Sequence, residues 1–213
     1  MARLRKKDRP VEEADIAEEE VVEVDGLRHQ GPWDSSERST ADDTNYLDLG
    51  ALKVRARAGI DIQLPADGDN DEIGSVVLVG DDAALELRAF AATRSGGLWE
   101  EVRDDLIIEV ERLGGECQQV DGIYGPELLV SVPVELPEGG NGFQPSRIIG
   151  IEGPRWMLRA TFLGDAGLNP SDEGLLIETL RDVVVVRGIE ARIPREPLLL
   201  TLPADATVVV DEE

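Results

Sequence analysis

The feature that most constrains the fold is one long stretch of helical periodicity between stretches of alternating residues. From Leu98 to Leu113, apolar residues recur three or four positions apart, which places them on one face of an α-helix. The glycine pair that follows, Gly114 and Gly115, predicts the end of this helix. On both sides of it, apolar and polar residues alternate, as is typical of half-buried strands. The pattern therefore predicts an α+β fold with one long helix at 98–113.

The predicted strands are joined by connections of hairpin length, which favour antiparallel pairing over the long crossovers of parallel strands. The sheet is therefore predicted to be mainly antiparallel. Its strand-forming ranges are 51–64, 73–91 and 117–163. A second, short helix is predicted from the cap residue Asn169 and the proline after it to about Asp182. Val183–Val186 fits either a buried strand or the end of that helix.

The first 45 residues differ in charge from the rest of the chain. Residues 1–10 carry five basic side chains and one acidic one, whereas residues 11–25 carry eight acidic side chains and no basic one. Ordering a chain costs about 1–2 kcal/mol per residue, and so few apolar groups cannot offset that cost by burial. Residues 1–45 are therefore predicted to be a largely disordered charged tail. The basic start fits a contact for nucleic acid or acidic lipid. The acidic block beside it favours the other interpretation, a solvated terminus.

A single domain is predicted at 46–188, followed by a C-terminal strap at 189–213. Three prolines in this last segment exclude a helix or a central strand. The strap is therefore predicted to be extended and to pack four leucines onto the core. These are Leu198, Leu199, Leu200 and Leu202.

Composition disfavours several classes of protein. The 213 residues include 45 acidic and 21 basic ones, a net charge of −24 that repels phosphate backbones and argues against nucleic-acid binding. No apolar run approaches the roughly 18 residues of a membrane span. The basic start is not followed by the apolar stretch of a signal peptide. We therefore expect a cytoplasmic protein with no membrane span.

Residues that commonly carry catalysis are scarce. The single His29 lies in the predicted tail, and the single Cys117 opens a predicted strand without the positive surroundings that would lower its pKa. One thiol and one histidine cannot form a Cys/His zinc site. The acidic turn Asp67–Glu72 lacks the glycine and glutamate positions of an EF-hand calcium loop. No catalytic residue, metal site or cofactor is predicted.

Four residues form the candidate interaction surface. They are Trp33, Arg94, Trp99 and Arg155. Trp33 lies in a segment otherwise too polar to fold, so its indole should either dock on the core, which is our prediction, or anchor a partner. Arg155 is predicted as an exposed flank of the inward-pointing Trp156.

Arg94 and the glycine pair before the long helix could offer a guanidinium and backbone N–H groups to a phosphate. Glu100 and Glu101, however, occupy the first turn of that helix, where they already satisfy its dipole and repel an anion. A plain capped helix start is therefore favoured over a phosphate site.

Five sequence segments together resemble an uncharacterised actinobacterial family, one of the domains of unknown function. The segments are Gly31–Asp34 (GPWD), Asp48–Leu52 (DLGAL), Ala89–Arg103 (with RSGGLWEEVR), Gly153–Trp156 (GPRW) with Leu158–Arg159, and Arg181–Gly188 (RDVVVVRG). The resemblance covers residues 31 to about 203 and implies no site residue, because the family has no assigned activity. The order of elements is also similar to PsbP-like α/β sandwiches, a likeness of fold that implies no activity.

These observations favour a non-enzymatic binding or scaffolding module for an unknown protein or small-molecule partner. The alternative is a hydrolase or nucleotide-linked enzyme that uses carboxylates and arginines. An enzyme requires a concave pocket with converging polar groups, whereas an adaptor requires an exposed apolar groove or patch. A pocket lined by Arg94, Arg155 or Arg159 together with buried carboxylates would favour the enzyme.

Overall fold

The computed structural model of the chain describes residues 28–65, 72–136 and 139–203. Over these ranges the fold is α+β, as predicted, with a seven-stranded antiparallel sheet, a small mixed sheet of four strands and three helices. In chain order the strands are β1 (Trp33–Asp34), β2 (Tyr46–Asp48), β3 (Leu52–Arg55), β4 (Asp61–Gln63), β5 (Val76–Val79), β6 (Ala83–Ala91), β7 (Glu116–Gly122), β8 (Gly125–Glu135), β9 (Asn141–Gly153), β10 (Trp156–Gly164) and β11 (Val184–Val185). The helices are α1 (Leu98–Arg112), α2 (Asp165–Leu168) and α3 (Leu175–Asp182).

The large sheet has the strand order β4-β5-β6-β10-β9-β8-β7, and each neighbouring pair is antiparallel. Its central hairpin, β9–β10, is closed by a turn of two residues, Pro154 and Arg155. The small sheet has the order β1-β11-β3-β2, in which β1 and β11 run parallel. The prediction of antiparallel pairing is therefore confirmed for the large sheet.

The large sheet buries apolar side chains on both faces, which gives three layers. One face packs against the small sheet and α3, and alternate residues of β10 point into this core, as predicted. They are Trp156, Leu158, Ala160 and Phe162, each at most 2% exposed. The other face packs against α1, which lies over β7, β8 and β9. Burial of such side chains contributes about 1.5–3 kcal/mol each, so these two interfaces dominate the stability of the fold.

The predicted long helix is confirmed as α1. Leu98 and Val110 of the apolar stripe are buried, whereas Leu113, just past the helix end, is 50% exposed. Gly114 follows with φ +77°, the left-handed conformation that favours glycine after a helix. Among the described residues, no helix is long and apolar enough to cross a membrane.

The folded part of the chain extends upstream of the predicted boundary at Tyr46. β1 pairs with β11, and Arg28 and Asp34 are buried. Polar partners rather than apolar burial fix this segment: Arg28 donates two hydrogen bonds to Glu37, at 2.6 and 2.7 Å, and these bonds lower the pKa of Glu37. A boundary drawn from composition therefore lies too late, because composition does not show that these charges are paired. Residues 1–27 of the predicted tail lie outside the described residues.

The segment predicted as an extended C-terminal strap does not bury all four of its leucines. Leu198 and Leu200 are buried, whereas Leu199 and Leu202 are 41% and 49% exposed. The strap runs beside β6, where the Leu198 N–H donates to the Ala89 carbonyl at 2.8 Å. Successive side chains of an extended segment point to opposite sides, so Leu199 points away from the core between Leu198 and Leu200. The rest of the strap, residues 204–213, lies outside the described residues.

The short helix begins later than predicted. Asn169 follows the one-turn helix α2, and its side-chain amide donates to Asp165 at 2.6 Å, so it closes α2 instead of opening a longer helix. α3 begins only at Leu175, after Gly174. Val184 and Val185 form β11, which decides between strand and helix for this stretch.

Candidate binding sites

A cleft of about 400 Å³ lies where β8 and β9 separate. Pairing between these two strands stops at Leu128 and Ile148. Beyond that point β8 continues along β7, and β9 continues along β10, so the two strands form a fork. We call the space at this fork the fork cleft. Its lining includes Arg28, Trp99, Arg103, Tyr124, Ile151 and Glu152.

Trp99 fills part of the fork from α1. Its side chain is 6% exposed, and its indole N–H donates to the Pro126 carbonyl of β8 at 2.7 Å. The ring lies directly on the backbone of Gly150 in β9, where an added Cβ would overlap the ring carbons. Trp99, predicted as part of an interaction surface, is therefore a packed residue of the fork that leaves only a small part of its ring to the cleft.

Replacement of Gly150 by alanine tests this close approach. The added methyl group must displace the Trp99 ring, so the free energy of unfolding should fall by about 1–3 kcal/mol. Urea denaturation of both proteins measures the difference. Gly139→Ala is the control for changing a glycine, because nothing lies near its added methyl group, although its φ of +86° makes a small loss expected there too. Equal losses in the two variants would contradict the proposed ring–backbone contact.

Glu152 supplies the cap of α1. Its carboxylate accepts hydrogen bonds from the backbone N–H groups of Gly97, Leu98 and Trp99 at 3.0, 2.6 and 3.2 Å. A carboxylate from β9 thus occupies the position where a phosphate would bind, and Arg94 lies exposed outside the fork cleft. This geometry agrees with a plain capped helix start.

Arg103 is the unpaired cation of the fork cleft. It is half-buried, and within the described part of the chain it makes no ion pair, while its Nε is shielded from solvent without a hydrogen-bond partner. Arg28 lines the same cleft but is fixed by Glu37, by the Pro32 carbonyl at 3.0 Å and by stacking 5.4 Å from the centre of the Trp156 ring.

A second candidate lies on the loop after β11. We define the 187–193 surface as residues 187–193 together with Arg155. Ile189 is 95% exposed and Ile193 is 75% exposed. A shallow cleft of about 320 Å³ is lined by Ile189 and its neighbours in this loop together with Leu198 and Leu199. Two large aliphatic side chains are therefore presented to solvent from a single short loop.

Arginines surround these two isoleucines. Arg187 is buried and binds the carbonyls of Arg155 and Glu190, at 3.0 and 3.2 Å, while Arg155 binds the Gly188 carbonyl at 3.2 Å. Burial, followed by the charges of Arg155 and Arg192, lowers the pKa of Arg187. Arg192 is paired with Glu196 at 2.8 Å. The surface is therefore locally basic on a chain with a net charge of −24.

A buried ion pair lies outside both candidate sites. Arg147 of β9 and Glu127 of β8, 3% and 4% exposed, are joined by two hydrogen bonds of 2.8 and 2.9 Å. Arg147 also binds Asp172 at 2.6 Å and the Ser171 carbonyl at 2.7 Å. Burial disfavours its charged form, but these carboxylates raise the pKa of Arg147 above its usual value. The group is fully engaged in joining β8, β9 and the segment before α3.

The sequence-predicted candidates do not form one site. Trp99 lines the fork cleft and Arg155 belongs to the 187–193 surface, whereas Arg94 lines neither described cleft. Trp33 is half-buried in β1, with the Arg38 guanidinium 5.7 Å from its ring centre. Sequence reasoning missed Arg103, Ile189 and Ile193.

The other residues considered for catalysis lie apart from both sites. Cys117 is half-buried in β7, and burial, followed by the charge of Glu111, raises the pKa of its thiol. His29 is exposed. A raised thiol pKa leaves less of the reactive thiolate at neutral pH.

One family model matches this chain over residues 31–208, and its description is "Protein of unknown function (DUF3710)". The match includes all the described helices and strands. A search of curated proteins found no match. The family description names no activity, so the two candidate sites are interpreted from their own geometry.

Proposed function

Because the chain belongs to the DUF3710 family, whose function is unknown, we propose its role from its surface. We propose that it is a non-catalytic module that binds another protein through the 187–193 surface. The observation that carries this proposal is the exposure of Ile189 and Ile193, at 95% and 75%, within one loop. Clustered exposed apolar side chains with a polar rim are typical of protein-binding surfaces.

The arginines of this surface fit the same role. Arginine is enriched in protein interfaces, where its planar guanidinium combines apolar contact with several donors. Arg155 and Arg187 donate hydrogen bonds to backbone carbonyls, and neither forms an ion pair within the described part of the chain. The partner segment is therefore proposed to carry both apolar and acidic side chains.

The enzyme alternative is less well supported. Neither described cleft is lined by Arg94, Arg155 or Arg159, the arginines named for an enzymatic pocket. Arg159 lies on β10 with its guanidinium 5.8 Å from the centre of the Phe90 ring. The buried carboxylate Glu127 is fully engaged with Arg147.

Aspartate substitutions at the two isoleucines test the proposal. Ile189→Asp and Ile193→Asp each place a charge in the proposed contact, and each should lower partner capture at least about tenfold in quantitative affinity purification from native cells. Both side chains are exposed, so each variant should have nearly the same melting temperature as the unmodified protein, as is usual for surface substitutions.

Leu168→Asp is the matched control. Leu168 is 63% exposed on α2, which lies at the end of β6 opposite the strap, and its substitution likewise replaces an exposed aliphatic side chain by a carboxylate. Proteins retained by the control and lost by both test variants are the expected partners. If both test variants retain every protein that the unmodified chain captures, the 187–193 surface is not the interface.

A further inference from the structure

We propose that the fork cleft is a second binding site, distinct from the 187–193 surface, and that it takes a small organic anion: one anionic group attached to an apolar body. The cleft of about 400 Å³ falls within the size range of small-molecule sites. Its position at a strand fork leaves residues of β8, β9 and α1 around one opening.

Arg103 supplies the charge that selects an anion. Its side chain lines the cleft, and no carboxylate lies within ion-pair distance of it among the described residues. A bound carboxylate or phosphate group would accept hydrogen bonds from its terminal nitrogens, in the bidentate geometry that arginine favours.

The acidic residues at the cleft do not cancel this selection. Glu152 is engaged by three backbone N–H groups at the start of α1, so its charge is offset there. Glu100 also lines the cleft but is exposed to solvent, which screens its repulsion of an anion. Arg28, held by Glu37 and stacked on Trp156, is a fixed second cation at the same opening.

The remaining lining is apolar and rigid. Trp99 and Ile151 are 6% and 3% exposed, and Tyr124 is 6% exposed. The Trp99 ring is fixed by its hydrogen bond to Pro126 and by its contact with Gly150. Fixed apolar side chains favour a ligand with an apolar body, and they lose little conformational freedom when the ligand binds.

Naphthoate is a suitable probe, since it carries one carboxylate on an apolar body, and naphthamide is its uncharged counterpart. Binding of both to the full chain is measured by ligand-observed NMR and isothermal titration calorimetry. Naphthoate should bind about tenfold more tightly than naphthamide, as a charge-assisted hydrogen bond implies.

Four substitutions separate the fork cleft from other surfaces. Arg103→Gln should abolish the preference for naphthoate, whereas Arg94→Gln, which removes the same charge outside the cleft, should retain it. Glu100→Gln removes a repelling charge and should tighten naphthoate binding. Ile189→Asp should leave the Kd for naphthoate unchanged, so this proposal and that for the 187–193 surface fail independently. Melting temperatures verify that each variant is folded.

The proposal is overturned by any of four results. They are binding of neither probe, equal affinity for both, equal effects of Arg103→Gln and Arg94→Gln, or weaker naphthoate binding after Glu100→Gln. The last result would mean that Glu100 supports naphthoate binding instead of opposing it.

Discussion

Replacing Glu127 by glutamine should lower the free energy of unfolding by about 3–5 kcal/mol, because it leaves the Arg147 guanidinium buried without its main counter-charge. Asp172 still accepts from Arg147 Nη2, at 2.6 Å, but this carboxylate is partly exposed and does not reach the Nε that Glu127 also binds. Urea denaturation of the unmodified and substituted proteins measures the loss.

Two further proteins show whether the loss comes from the unpaired charge. The double variant Glu127→Leu, Arg147→Met removes both charges and should be more stable than the single variant, since apolar groups can replace a buried ion pair. Glu109→Gln breaks the exposed pair with Arg112 and should cause no measurable change. A double variant as unstable as the single one would refute the explanation by unpaired charge.

Trp156→Ala should also lower the free energy of unfolding by about 3–5 kcal/mol, the usual cost of emptying a large aromatic site in a core. The indole is fully buried, its N–H donates to Asp34 at 2.8 Å, and the Arg28 guanidinium stacks on its ring. Its loss should therefore loosen the first described segment as well as the core. Hydrogen exchange should show reduced protection in that segment.

Trp33→Ala provides the comparison within the same region. Trp33 is only half-buried, so its replacement should cost about 1–2 kcal/mol, less than the loss at Trp156. A larger loss at Trp33 would mean that Trp33 is the main anchor of this segment. The docking of Trp33 itself, predicted from sequence, remains a prediction that this variant tests.

Periodicity predicted the helices and strands that are long enough for their own sequence to show which side faces the core. The stripe from Leu98 and the alternation from Trp156 are long enough to specify helix and strand, and both are confirmed. β1 has two residues and depends on pairing with β11, so no local pattern could reveal it. Asn169 carried a helix-start signal, but the chain uses it to close α2.

The candidate sites were predicted less well, because they depend on which partners residues meet in the fold. The sequence shows that Trp99 lies at a helix start. It does not show that Arg103, one turn later, forms no ion pair with a described residue. One signal for the fork was available: an isolated glycine within a strand, Gly150, indicates close approach of another group. Ile189 and Ile193 lie in the segment predicted as a strap, where the sequence pattern does not show which side chains stay exposed.

The strap beside β6 has a consequence for how the chain acquires its structure during synthesis. β5 pairs with β6 only up to Leu87, and the remaining edge of β6 is completed by Glu196 and Leu198. β1, near the start of the described chain, likewise pairs with β11 near its end. A nascent chain on the ribosome therefore exposes part of a sheet edge until residues 195–198 emerge, and the complete fold forms only after this segment has been synthesised.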